Sequence, residues 1–327
     1  MSPASPAHKP VKAEVVVPTT HHIRTALLSG LFLLAVAVFL ITNRTDFSET
    51  FSLLRAAPLN FILIGASLVA GTYFMAALSY TFLAADRRLS LLRTLAVQVT
   101  SGITNRLLPS GLGAAGLYAL YFKRSGFSYS QAAGIVAANH VLGAVGNALL
   151  LSVLLFTAPR AGELFNFRAL PVTTTALVAV LIFLVVVLLF RHAAWLQRIM
   201  TFAKNTLHSL KHTLKPGTRT AASLACNISI TCLNGLVLSL AVAAAGGSMF
   251  WPLTIAVLSV GALLGAAVPT PGGLGGVEAG ILGGLIACGV PAAAALAATV
   301  IYRGLTYWMP IIPGLTILPW VRKHYLP

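Results

Sequence analysis

Apolar stretches of about 20 residues recur along this chain of 327 residues. An α-helix needs roughly 20 such residues to cross about 30 Å of hydrocarbon. Six stretches predict membrane-spanning helices, over residues 24–42, 59–84, 131–156, 171–190, 220–245 and 292–318. No clear small-x-small cleavage site follows the first stretch, so we interpret it as a membrane helix and not as a signal peptide. Residues 1–22, polar and rich in proline, predict a disordered cytoplasmic tail.

Two further apolar regions, 93–122 and 251–290, are each interrupted by a run of proline and glycine. The interrupting residues are Pro109, Gly111 and Gly113 in the first region, and Pro271, Gly272, Gly273 and Gly275 in the second. Proline lacks a backbone N–H and glycine weakens a helix, so each run should break its helix. Freed backbone groups persist at membrane depth only inside protein or beside a wet cavity.

Composition agrees with a membrane protein, since 57% of the residues are hydrophobic and only 9% are charged. Soluble domains usually carry about 25% charged residues. The excess of 22 basic over 6 acidic residues would suggest nucleic acid in a soluble protein, but no basic stripe with interleaved aromatic residues is present. The three cysteines lie in apolar segments and fit neither a disulfide framework nor a metal site. We therefore expect no nucleic-acid partner, no metal and no cofactor.

The distribution of basic residues selects between two topologies. If both broken regions cross the membrane, the two sides carry 10 basic residues each. If both are re-entrant hairpins, 16 lie on the cytoplasmic side and 4 outside, with Arg106 and Arg303 inside the membrane. Cytoplasmic loops carry the excess of Lys and Arg, which favours the hairpins. The chain is thus predicted to be an all-α polytopic protein with six spanning helices, two re-entrant hairpins, a basic cytoplasmic loop at 191–219 and both termini cytoplasmic.

The two breaks resemble each other. Residues 109–113 (PSGLG) match residues 271–275 (PGGLG) at four of five positions, and a polar residue follows each, His140 after 31 residues and Arg303 after 32. The match is either a coincidence among common residues or an internal repeat with halves at about 24–156 and 171–318. Three crossings per half would make this repeat inverted, within one domain over 24–320. Inverted repeats with paired broken helices are typical of secondary transporters.

Ionisable residues inside the apolar segments are the candidate site. Glu278 is the only acidic residue in such a segment, and Arg303 follows it by 25 residues. Charged groups at this depth normally pair with one another or face a cavity. Two compatible interpretations follow: a wet polar site, or an ion pair that pins the second hairpin to the last helix.

Further polar residues accompany the first break. Arg106 lies in it beside Asn105, and His140 follows Asn139 in the next span. The histidine is either a hydrogen-bonded packing residue or part of the site. If the hairpins meet, Arg106 and Arg303 could approach one anionic group near the helix N-termini that follow the breaks. These residues predict a phosphate or carboxylate site.

Enzyme motifs are missing from the sequence. The run at 272–276 lacks both the dinucleotide-binding spacing and a following GK[ST], and there is no serine elbow, HExxH motif or carboxylate pair. We expect no enzymatic activity.

The stretch 269–314 resembles the signature of the lysylphosphatidylglycerol synthase transmembrane-region family, also called flippase-like domain proteins. The resemblance rests on PGGLGGVE, on Arg303 in the next helix, and on the ending formed by Trp308, Pro310 and Gly314. Residues 105–147 are similar to its weaker first motif, although Asn139 and His140 stand where a Glu-Arg pair is expected. The resemblance covers about 24–320 and implies lipid translocation. With its end at Pro327, we expect a stand-alone member without a synthase domain.

The leading hypothesis is a flippase or transporter in the bacterial inner membrane, with membrane lipids as partners. It would move an amphipathic lipid (a phospholipid, a polyprenyl phosphate or a hopanoid-type lipid) through a polar cavity between the two hairpins. The departures in the first motif imply a less charged substrate. The alternative is a membrane scaffold for a lipid- or glycan-biosynthesis complex, with loop 191–219 docking its enzymes. The sequence indicates no oligomeric state.

Cysteine accessibility labelling checks the topology. We expect a cysteine at position 123 to react from the cytoplasmic side and one at position 160 from the outside, because the re-entrant arrangement places Lys123 and Arg160 on opposite sides. Labelling of position 123 from the outside would contradict the re-entrant first hairpin.

Overall fold

The computed structural model describes residues 44–84, 87, 89–107, 112–157, 213–214, 217–267 and 270–325, and regular structure within these residues is helical. The predicted tail at 1–22, the predicted spans 24–42 and 171–190, and most of the loop 191–219 lie outside the described residues.

The helices are numbered along the described residues. They are α1 (Arg44–Ala56), α2 (Leu59–Leu83), α3 (Leu91–Leu107), α4 (Leu112–Arg124), α5 (Tyr129–Thr157), α6 (Thr218–Ala244), α7 (Leu253–Ala267), α8 (Gly276–Ala287), α9 (Ala292–Arg303) and α10 (Ile311–Tyr325). Helices α2, α5 and α6 are long and apolar enough to span a membrane. They confirm the predicted elements at 59–84, 131–156 and 220–245 to within two residues.

Helices α2 and α6 pack against each other in antiparallel orientation. Ser79, near the end of α2, lies 2.7 Å from Ser223, near the beginning of α6. Gly71, further back in α2, faces Leu233 further along α6. We call the end of the bundle at Leu83 and Thr218 the first end, and the end at Leu59 and Ala244 the second end.

A buried polar network joins α2, α5 and α6 close to the first end. The Ser79 hydroxyl donates to Asn139 Oδ1 at 2.6 Å. The Asn227 amide donates to Ser79 Oγ at 3.0 Å and to Asn139 Oδ1 at 3.1 Å. Such hydrogen bonds hold helices together where neither water nor lipid offers partners.

Helices α3 and α4 form a hairpin that opens at the first end. The hydroxyls of Thr94, at the beginning of α3, and Tyr121, near the end of α4, lie 2.7 Å apart. Arg124 donates to the carbonyl of His324 at the end of α10. The predicted break falls between the two helices: Pro109 and Gly111 lie outside the described residues, and Gly113 lies in the first turn of α4.

Helices α7 and α8 form the other hairpin, which opens at the second end because α7 directly follows the end of α6. Its two helices pack backbone against backbone. A Cβ on Gly280 would lie 2.5 Å from the Cα of Gly261, and one on Gly276 would lie 2.5 Å from the carbonyl oxygen of Leu264. The row of small residues in this segment therefore serves close helix packing.

The last predicted span, residues 292–318, runs from the second end to the first and is interrupted in the middle. We call it the last crossing. The sequence predicted one continuous helix over 292–318, but α9 is followed by a π-helical segment, Gly304–Trp308, and then by α10. Pro310 explains the difference: it has no N–H, so the carbonyl of Thr306 loses its α-helical donor. The N–H of Met309 instead donates to Gly304, five residues earlier, at 2.8 Å.

Both hairpins reach this interruption, the first with the end of α3 and the second with its tip. Helix α3 of the first hairpin packs on α10, where Gly314 faces Ile103. At the tip of the second hairpin, Gly272 packs against Tyr307 of the π-helical segment. Two broken hairpins thus enter the described bundle from opposite ends and converge on one short stretch of the last crossing.

Glycine substitutions in α8 test the hairpin packing. We expect Gly280→Ala to lower the free energy of unfolding by about 1–3 kcal/mol, because backbone atoms of α7 leave no room for a methyl group. The matched control is Gly283→Ala in the same helix, where a Cβ would meet nothing within 4 Å. Thermal unfolding in detergent measures both, and equal effects of the two changes would contradict this packing.

Candidate functional site

A cavity of about 510 Å³ lies where the end of α3 and the tip of the second hairpin meet the last crossing. Residues of α2, α3, α5, α6, α7, α8 and α9 contribute to its wall, together with the tip of the second hairpin and the π-helical segment. A smaller cavity of about 200 Å³ adjoins it and shares Tyr73, Gly102 and Asn234 with it. The site is therefore built from both hairpins and all the crossing helices that the structure describes.

Glu278 and Arg303 form an ion pair beside this cavity. Arg303 Nε donates to Glu278 Oε1 at 2.6 Å. The other carboxylate oxygen accepts the backbone N–H of Gly275, also at 2.6 Å. The side chain of Arg303 is 12% exposed and that of Glu278 is 31% exposed. Both oxygens of Glu278 are thus engaged, and the pair ties the second hairpin to the last crossing as the pinning interpretation expected.

Arg106 reaches the same place from the first hairpin. Its Nη2 donates to the carbonyl of Thr306 at 3.0 Å. This carbonyl is available because Pro310, four residues later, cannot donate to it. A proline in the last crossing thus creates the acceptor that holds an arginine of the other hairpin.

The two guanidinium groups share one aromatic ring. The guanidinium carbon of Arg303 lies 4.4 Å from the ring centroid of Tyr307, and that of Arg106 lies 4.9 Å from it. A cation within about 6 Å of a ring centroid is attracted by the ring quadrupole. The structure therefore brings together the two arginines for which the sequence predicted a common site.

Three guanidinium nitrogens are buried and have no hydrogen-bond acceptor among the described residues. They are Nε and Nη1 of Arg106 and Nη2 of Arg303. An unsatisfied buried donor costs about 1–3 kcal/mol, and more when it is charged. Both side chains belong to the cavity wall, so the wall holds two arginines whose capacity to donate hydrogen bonds is only partly used.

Gly272 allows the hairpin tip to lie against this cluster. Its φ of +64° is in the left-handed region, which favours glycine. A Cβ at this position would lie 2.6 Å from Cε2 of Tyr307. The glycine run of the break is thus needed for contact with the ring as well as for the turn.

Uncharged polar side chains line other parts of the cavity. The Asn147 amide donates to Ser259 Oγ at 3.1 Å, which joins α5 to α7. Asn234 donates to the carbonyl of Ile230 at 2.9 Å within α6. Tyr73 lies near Arg106, since a Cβ on Gly102 would lie 3.1 Å from its hydroxyl and 3.0 Å from Arg106 Nη1.

Two other predicted site residues, Asn139 and His140, lie away from the cavity. Asn139 belongs to the polar network near the first end. His140 is exposed on α5, with Nδ1 2.8 Å from the carbonyl of Val136. Neither is among the described residues that line the two cavities. The side chain of Asn105 is outside what the structure describes.

Sequence reasoning missed Tyr307, the residue at the centre of the cluster. A signal was available, because Tyr307 follows Arg303 by four residues, and residues at this spacing share one face of a helix. Tyrosine carries no charge, however, so a tyrosine in an apolar segment does not indicate a functional site in the way that Glu278 does.

Comparison with known families supports the resemblance found in the sequence. The family profile described as "Lysylphosphatidylglycerol synthase TM region" matches residues 27–314. This range contains both hairpins, the ion pair and Arg106. No curated protein matches the chain. Because the profile covers most of the chain, the protein belongs to the lysylphosphatidylglycerol synthase transmembrane-region family.

Proposed function

We propose that this protein is a lipid flippase or transporter of the bacterial inner membrane. It moves an amphipathic lipid, whose headgroup passes through the cavity between the two hairpins. The observation that carries the proposal is the meeting of two broken hairpins around a cavity that holds two cations with unpaired donors. The family is a membrane domain often linked to flippase-like function.

The arrangement of the hairpins supports this function. Irregular backbone inside a membrane protein is found where it is buried or lines a water-filled cavity. In secondary transporters, such breaks come in pairs, and the substrate binds between them near the middle of the membrane. The proposal adds the predicted spans 24–42 and 171–190 to the described helices, which would give six crossings in two inverted halves.

Basic residues at the first end support its cytoplasmic location. The exposed side chains at this end include Arg87, Arg93, Lys123, Arg124, Arg322 and Lys323. The second end carries Arg55 in α1, close to the beginning of α9, where the Thr50 hydroxyl donates to the carbonyl of Ala293 at 3.3 Å. An excess of Lys and Arg marks the cytoplasmic side, so both termini lie there in this proposal.

The cavity supplies what a headgroup needs at membrane depth. It offers positive charge and unpaired N–H donors, and these replace water around an anionic group in surroundings of low polarity. The acyl chains stay among the lipids, since only the polar part meets a barrier in hydrocarbon. Phospholipids, polyprenyl phosphates and hopanoid-type lipids are the candidate substrates. The scaffold hypothesis rests on residues 191–219, most of which the structure does not describe, and stays a prediction.

Lipid movement in vesicles tests the function and separates it from a purely structural role of the ion pair. We expect the double variant Glu278→Gln, Arg303→Gln to fold, because two amides can keep a hydrogen bond between hairpin and helix without buried charge. We expect its rate of movement of labelled phospholipid, polyprenyl phosphate or hopanoid lipid to fall by about 10-fold or more.

Arg322→Gln, which removes an exposed arginine near the end of α10, is the matched control and should move lipid at the wild-type rate. Wild-type protein that moves none of the three lipids faster than protein-free vesicles would refute the proposal. Lipid movement by the double variant at the wild-type rate would show that the ion pair has only a structural role, which is to hold the second hairpin against the last crossing.

A second prediction concerns the contact between Gly272 and Tyr307. We expect Gly272→Ala to reduce lipid movement several-fold, because its methyl group displaces the ring that both arginines contact. The control is Gly246→Ala, which also has a positive φ (+75°) but meets nothing within 4 Å. Both variants carry about 1 kcal/mol of backbone strain, and Gly272→Ala adds the cost of moving the Tyr307 ring, so thermal unfolding should show Gly272→Ala as the less stable of the two. Equal transport by the two variants would contradict a role for this contact.

A further inference from the structure

The charges at the cavity do not balance. Arg303 is paired with Glu278, whose two oxygens are both engaged. Arg106 has only the neutral carbonyl of Thr306 as an acceptor among the described residues. The other acidic residues of the described helices, Asp46 and Glu49, lie in α1 at the second end. The cluster of Arg106, Arg303 and Glu278 therefore carries one net positive charge.

From this imbalance we infer that the cavity selects a lipid whose headgroup carries one net negative charge, a phosphodiester with an uncharged terminal group, and that Arg106 sets this selectivity. The inference rests on the proposed lipid transport and names its substrate class. One phosphodiester brings the site to neutrality, and its oxygens can accept hydrogen bonds from the two arginines of the cavity wall.

Other headgroups fit this site less well. A zwitterionic headgroup adds an ammonium, which needs an acceptor, and the carboxylate of Glu278 is already used by Arg303 and Gly275. A neutral polyol leaves the positive charge uncompensated in surroundings where an unpaired charge is costly. A phosphate monoester with two charges leaves an excess of negative charge instead. Charge balance thus favours the monoanion over all three.

The rest of the wall fits an uncharged terminal group. The other polar side chains of the cavity wall are neutral, and they include Asn147, Asn234 and Ser259. Amides and hydroxyls can donate to hydroxyl groups and accept from them without adding charge. In this inference the two arginines bind the phosphate, and the asparagines bind the uncharged terminal group.

Equilibrium binding to the purified full chain tests the inference without requiring transport. The probes are fluorescent phosphatidylglycerol, which has one negative charge, and phosphatidylcholine with identical acyl chains and no net charge. We expect wild type to bind phosphatidylglycerol at least about 10-fold more tightly, since hydrogen bonds between charged groups are the strong ones. Arg106→Gln should bring the ratio close to one, whereas Arg106→Lys, which keeps the charge, should retain most of the preference.

Arg93→Gln is the matched control, because it removes an exposed arginine from the beginning of the same helix, and it should leave the ratio unchanged. A wild-type ratio near one would overturn the inference even if Arg106→Gln does not fold. An unchanged ratio in folded Arg106→Gln would overturn the assignment to Arg106. Soluble glycerophosphoglycerol should compete only weakly, and competition equal to that of the lipid would overturn the lipid as ligand.

Measurements of binding and of transport together distinguish a failure of this inference from a failure of the proposed lipid transport. Charge-selective binding by a protein that moves no lipid in vesicles would contradict the transport function and uphold the selectivity. Movement of phosphatidylglycerol and phosphatidylcholine at equal rates would uphold transport and overturn the selectivity.

Discussion

The ion pair between Glu278 and Arg303 is the interaction on which the centre of this fold depends. Removing two charges from water costs several kcal/mol for each ion, and their attraction offsets this cost only with good geometry and further hydrogen bonds. The second hairpin supplies that geometry, because its glycine turn aims the N–H of Gly275 at the carboxylate. The break in the helix and the buried charge are therefore two parts of one arrangement, and neither is tolerable without the other.

The first hairpin also buries a charged group, Arg106, and stabilises it in a different way. It has no acidic partner for Arg106 among the described residues, and the guanidinium instead binds the carbonyl of Thr306 and the ring of Tyr307. Pro310 makes that carbonyl available by interrupting the last crossing. The two hairpins thus meet at a short irregular stretch of the last crossing, and they differ in chemistry although their breaks are similar in sequence.

Much of this arrangement could be predicted from residues that are costly in free energy when they lie in the wrong surroundings. Apolar length revealed α2, α5 and α6, the proline and glycine runs revealed both breaks, and the rarity of buried charge revealed Glu278 and Arg303. The interruption of the last crossing was missed because its apolar composition outweighed Pro310. The outward orientation of His140 was missed as well, since the rotation of α5 depends on tertiary packing, which a single sequence does not show.

Arg106 is more than the fold requires. Its one hydrogen bond to Thr306 could be made by an uncharged amide, and its contact with Tyr307 by an apolar side chain. A guanidinium adds a charge and two unpaired buried donors, both of which lower stability. Proteins break the rules of stability chiefly at functional sites. The second hairpin, where charge is paired and glycines pack backbone on backbone, serves as the rigid wall of the cavity, and Arg106 is the residue whose cost only a ligand would offset.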